Sequence, residues 1–165
     1  MNIHYLPIYI LMVALCGSYY FNYLPPIIFL IFILCSTFTF LIYAKDKHAA
    51  QHDQWRTAES KLHLCSIFFG WPGAIVAQQR LRHKSKKRSF RVVFMLTVLV
   101  NVGLLAGMHT DEGSHIFKNY SDKLKNYINK NVDNPHSQKV VSFLLNSRND
   151  NYLYYESPTF YIRES

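Results

Sequence analysis

The first Lys, Arg, Asp or Glu of this 165-residue chain is Lys45. A charge-free start of 44 residues is about twice the ~20 apolar residues that a spanning helix needs. Membrane insertion therefore outranks a soluble core, and in lipid the backbone must bond to itself, which favours helices. The charge that follows is unevenly placed: residues 1–108 hold 11 Lys+Arg against 3 Asp+Glu, and residues 109–165 hold 7 of each. The whole net charge of +8 thus lies beside the apolar runs. Basic residues in that position meet anionic lipid head groups more often than nucleic acid.

Along the chain, Leu6 to Tyr20 is an apolar and aromatic run with no Lys or Arg before it. Without a positive n-region it reads as an uncleaved span rather than a signal peptide. Leu15 fits poorly as the residue before a lipidated Cys16. Asn22-Tyr23-Leu24-Pro25-Pro26 breaks the helix, since neither proline donates a backbone hydrogen bond and Leu24 is pushed out of the helical region. A tight hairpin then leads into a second span, Ile27 to Tyr43, which can continue as a polar helix until Asp53 and Gln54. Thr57-Ala58-Glu59 restarts a helix, with Thr57 as its expected N-cap and Glu59 at the positive end of the dipole. Gly70-Trp71-Pro72-Gly73 interrupts it, Gly70 suiting the left-handed position after a helix, and Ala74 resumes. Phe90 to Met108 is the last span, with Asn101 as its strongly polar side chain, expected to bond a neighbouring helix.

The topology turns on the segment between the second and last spans. Segment 45–61 carries 4 Lys+Arg and segment 80–91 carries 7, and basic loops beside membranes stay cytoplasmic. A re-entrant helical hairpin bent at Gly70, Pro72 and Gly73 keeps both inside; a fourth full span would put one outside. The expected fold class is all-α integral membrane, three spans plus a re-entrant hairpin, with four spans as the alternative. Residues 1–108 form the membrane domain, with its core at 43–90, and 109–165 a small soluble tail. In that tail Ile116, Phe117, Tyr120, Leu124, Tyr127 and Ile128 mark an amphipathic helix. Gln138 to Ser147 suits a second helix, and Asn151–Ile162 a short hairpin or a membrane-covering strip.

The chemistry-bearing residues crowd the core region. His48 and His52 share a helical face, to which His63 or His83 would add a third ligand, yet no H-E-x-x-H pattern is present. Cys16, Cys35 and Cys65 lack C-x-x-C spacing and read as small apolar fillers. No metal and no cofactor is expected. Asp46 and Glu59 are candidates for acid/base work if low dielectric surrounds them, with His63 and His83 beside them; ion pairing with Lys47, Arg56 or Lys61 is the simpler role. Arg80–Arg88 anchors topology in its plainest reading and binds phosphate or a head group in a sharper one. The binding candidates are Tyr43, Asp46, Lys47, Arg56, Glu59, His83, Lys84, Lys86, Lys87 and Arg88.

Read in order, these residues form a pattern: Tyr43-x-x-Asp46-Lys47-x-x-Ala50, Trp55-Arg56-Thr57-x-Glu59, Leu62-His63, Gly70-Trp71-Pro72-Gly73-Ala74 and His83-Lys84-Ser85-x-Lys87-x-x-Phe90. It resembles the small integral-membrane family known as domain of unknown function 1294, over roughly residues 43 to 90. Ala58 stands where that family usually has proline, and Phe69 where it has a second glycine. The resemblance implies a multi-pass protein of the bacterial cytoplasmic (inner) membrane and brings no established reaction. Some relatives carry a cold-shock domain; none is expected here, and nucleic-acid binding is not expected either. The expected function is a scaffold or anionic-lipid-interacting protein with a cytoplasm-facing polar cleft, the alternative a membrane enzyme acting on a phosphorylated lipid or head group. Membrane lipids are the expected partners.

Overall fold

The computed structural model describes residues 3–21, 23–81, 87–132 and 134–146. Every regular element among them is helical. A 3-10 turn at Ile3–Tyr5 leads into α1 (Leu6–Tyr20), followed by α2 (Ile27–Gln51), the short α3 (Glu59–Cys65), a π turn at Ser66–Gly70, α4 (Trp71–Arg80), α5 (Arg88–Gly107), α6 (Asp111–Asn131) and α7 (Pro135–Leu145). Three stretches, Ile3–Tyr20, Ile27–Gln51 and Arg88–Gly107, are long and apolar enough to cross a bilayer.

Each long helix buries one stripe. In α1 it is Leu11, Leu15 and Ser18, in α2 Ile28, Phe32, Thr39, Tyr43, Asp46 and Ala49, and in α5 Phe90, Phe94, Thr97 and Asn101. Steps of three, four and seven put each set on one face. The opposite faces are equally apolar: Val13, Ile33, Phe38, Met95 and Leu99 are each more than half exposed. An apolar surface of that extent on three neighbouring helices is what a bilayer covers.

The chain breaks where backbone chemistry requires. Phe21 closes α1 by donating its N–H to the Gly17 carbonyl, and α2 starts on Pro26, with Ile28 and Phe29 bonding back to the two prolines. As expected, α2 continues past the apolar run; it ends at His52. Asp53 takes the left-handed conformation at φ 50°, which Asp tolerates better than most residues.

Two local expectations are corrected. Thr57 is not the N-cap of α3, because Ala58 takes that position and caps with no side chain; the Thr57 N–H instead donates to Asp46. Gly70 is not the left-handed residue either: its φ is −85°, and Phe69 is left-handed at φ 59°. Trp71, Pro72 and Gly73 already belong to the first turn of α4. Proline fits there because first-turn N–H groups have no helical acceptor, so the break lies before the Trp-Pro-Gly run.

Phe69 is held in this conformation by packing, its ring lying edge-on to Phe32 with centroids 5.1 Å apart. A left-handed residue with a Cβ costs about 1–2 kcal/mol. Phe69→Gly and Phe69→Ala both lose the ring contact, but only glycine also releases the strain. The glycine variant should therefore be more stable than the alanine variant by about 1 kcal/mol, the reverse of the usual helical order. Equal unfolding midpoints of the two variants in detergent would contradict this account.

The tail helices follow the expected periodicity. Thr110 caps α6 by accepting from the Gly113 N–H at 3.2 Å, and Asn134 caps α7 through His136. The two helices pack together, yet Ile116, Tyr120 and Tyr127 remain well exposed. The strip Asn151–Ile162 lies outside the described residues.

Candidate functional site

The motif residues meet where α2, α3, α4 and the start of α5 come together. Asp46, fully buried on α2, accepts the Thr57 N–H at 2.8 Å. Its carboxylate lies 4.0 Å from the Arg56 Nε. This bond ties the loop after α2 back onto α2 and delivers α3 to its side. Charge-assisted bonds of this kind are among the stronger ones, and a buried carboxylate needs such partners.

From there the chain runs along α2 in one direction and then the other. Gly70 packs on Thr39 and Gly73 on the Ser36 carbonyl, so the segment from Thr57 to Gly73 passes from the level of Asp46 to that of Ser36. Further along α4, Gln78 faces the Tyr43 hydroxyl, and α4 also reaches the 3-10 turn at Ile3–Tyr5. Lys87 Nζ then lies 2.8 Å from Glu59 Oε2, joining the start of α5 to the start of α3. Such exposed pairs are worth only ~0–1 kcal/mol; its value here is positional. Beside it Phe90 lies tilted against His63, centroids 4.2 Å apart, and edge-on to Tyr43 at 6.4 Å.

At the other end of the segment, the π turn Ser66–Gly70 replaces the regular helical ladder, and Phe68 and Phe69 take non-helical backbone angles. Asn101 of α5 shares its amide N–H groups among Ser66 O at 3.2 Å, Ile67 O at 3.0 Å and Thr97 O at 2.8 Å. The expected interhelical bond of Asn101 is thus present, and its acceptors are the backbone of the bend.

Of the sequence candidates, Tyr43, Asp46, Arg56, Glu59 and His63 are brought together around this junction. Lys47 is half-buried, and Lys87 and Arg88 are exposed. His83, Lys84 and Lys86 lie outside the described residues. Sequence reasoning missed Thr39, Ser66 and Gln78 and gave Trp71 no role beyond the motif; all four are buried at the same junction. Ser66 and Gln78 were detectable as polar residues inside an apolar stretch. The Tyr43 hydroxyl faces both without closing a good hydrogen bond to either; Thr39 Oγ1, Trp71 Nε1 and Gln78 Nε2 are likewise buried without one. Polar atoms with spare capacity this deep are uncommon. His48 and His52 stack at 4.1 Å, and no three potential metal ligands gather among the described residues.

A second polar contact lies at the opposite ends of the long helices. His109 donates Nδ1–H to the Leu105 carbonyl at 2.7 Å, leaving Nε2 to accept from the Ser18 hydroxyl at 2.7 Å. It joins the end of α1 to the residues just after α5.

Over the described residues, the fold and this junction define a helical protein of the membrane-spanning kind, with three helices long and apolar enough to cross a bilayer, organised around a Tyr-Asp-Lys to Lys-x-x-Phe core. The family model described as "Protein of unknown function (DUF1294)" matches residues 36–90. A similar protein, "Uncharacterized protein YsdA" of Bacillus subtilis (strain 168), is 34% identical over 74 residues, covering 45% of this chain and 83% of the relative. The chain belongs to the DUF1294 family. No solved structure matches it.

Proposed function

We propose that the chain is a multi-pass protein of the bacterial cytoplasmic membrane in which α3, the π turn and α4 form a re-entrant hairpin. Its N-terminus is cytoplasmic, α1, α2 and α5 span, and the tail lies outside. The carrying observation is the Glu59–Lys87 pair at 2.8 Å, since joined ends of the intervening segment favour a common side of the bilayer. Both basic segments then stay cytoplasmic. Reporter fusions after Met108 and after Ser165 test this: both should report the non-cytoplasmic side, and cytoplasmic signal at both would establish four spans.

Within that topology the protein acts as a scaffold that engages anionic lipid. The junction of Tyr43, Asp46, Ser66 and Gln78 is the buried polar centre of the cytoplasmic half, and the cations of the basic segment Arg80–Arg88 supply the charge that meets anionic head groups. Anionic phospholipid identified by mass spectrometry after mild detergent extraction is the expected result, and extraction free of enriched lipid would count against it. The buried, incompletely bonded polar atoms around Tyr43 and Gln78 favour a second reading, an enzyme acting on a phosphorylated lipid or head group. Turnover of the extracted lipid, lost in Asp46→Asn or Glu59→Gln with folding intact, would establish it.

A further inference from the structure

We infer that one anionic phospholipid is held between α2 and α3, its acyl chain in an apolar groove and its phosphate between Lys45 and Lys61. This rests on the membrane reading above and gives it a site separate from the segment Arg80–Arg88. The groove has a volume of about 340 Å³ and is lined chiefly by Leu34, Cys35, Phe38, Leu64, Cys65 and Phe68. Its rims are open: Leu34, Phe38, Leu64 and Phe68 are each more than half exposed. Phe68 reaches the surface because it has left the helical path, with φ −83° and ψ 57°. On a spanning helix this recess faces hydrocarbon, so its natural occupant is a lipid chain.

Helical register supplies the charge. Leu34, Phe38, Leu41 and Lys45 form one column on α2, by steps of four, three and four. Two turns separate Phe38 from Lys45, roughly 10 Å along the axis. On α3, Lys61 sits one turn before Leu64 and Cys65, on their face. Both lysines are exposed. The nearby carboxylates are engaged elsewhere, Asp46 with Thr57 and Arg56 and Glu59 with Lys87. Two cations standing above an apolar slot complement a phosphate joined to an acyl chain.

The test uses the full chain in mild detergent, with bound lipid counted by native mass spectrometry. Phosphatidylglycerol and phosphatidylcholine of identical chains are the competing probes. The parent should retain one phosphatidylglycerol in preference. Lys45→Gln with Lys61→Gln should weaken phosphatidylglycerol roughly thirtyfold and abolish the preference. Leu64→Trp, which fills the groove from an exposed position, should reduce both lipids, with thermal melting unchanged in both variants. Retention equal to the parent in both variants would overturn the site. If neutralising Lys86, Lys87 and Arg88 removes the preference while the Lys45 and Lys61 change does not, this site falls and the lipid-binding reading stands. If the parent shows no preference, both fall.

Discussion

Replacing Gly73 with alanine should destabilise the folded chain by about 3 kcal/mol. A Cβ at this position would collide with the Ser36 carbonyl and its backbone carbon atoms, and backbone cannot rotate aside. The only relief is to push α4 away from α2 along their whole contact, which also buries Trp71, Ala74 and Ala77. Gly70→Ala meets the Thr39 side chain and the Cys65 carbonyl, so part of its obstruction can turn away and its loss should be smaller. Gly103, whose added Cβ meets nothing within 4 Å, is the control. Its alanine variant should gain about 0.5–1 kcal/mol, because alanine is the better helix former. Unfolding of the detergent-solubilised chain by sodium dodecyl sulfate reads all three, and equal midpoints for the Gly73 and Gly103 variants would refute the close approach.

Asn101→Leu should remove about 2 kcal/mol. Interhelical hydrogen bonds in membranes average only ~0.6 kcal/mol, with a maximum near ~1.7. Here one fully buried amide donates to two carbonyls of the bend, Ser66 and Ile67, and losing buried hydrogen bonds without replacement costs about 1–3 kcal/mol. The improved packing of leucine offsets part of that. Since the acceptors require a donor, Asn101→Asp should be worse than Asn101→Leu, although aspartate is nearly isosteric with asparagine. The same titration gives the order, and a leucine variant as stable as the parent would show that the bend is satisfied without Asn101.

The long helices were legible because their signals are local. The first charge at Lys45, the Pro25-Pro26 break and the apolar run before Met108 each act within a few residues, and three stretches of spanning length follow. The same holds for α6 and α7, which the apolar steps from Ile116 to Ile128 and the segment after Gln138 foretell. The core motif named the neighbourhood of the site but not its bonds. Thr57 has the composition of an N-cap, and only the approach of Asp46 from α2 explains why its backbone N–H is used instead. Gly70 and Gly73 look like conformational glycines, yet neither has a positive φ. Both are small because α2 lies against them, a demand set by a partner helix over thirty residues away. Phe69 carries the left-handed backbone, against its own local preference, because Phe32 holds its ring. Such long-range demands leave little trace in single-sequence periodicity.

The pairing of Asn101 with the Ser66 and Ile67 carbonyls also constrains the order of biogenesis. The acceptors leave the ribosome about 35 residues before their donor. α2 is already available when the bend emerges, so the glycine contacts with Thr39 and Ser36 can form at once. The bonds that Asn101 donates to the Ser66 and Ile67 carbonyls must wait for α5. Until α5 arrives, solvent is the alternative donor for those oxygens. Final packing of the bend is therefore a late event, and the arrival of α5 is the step that commits it.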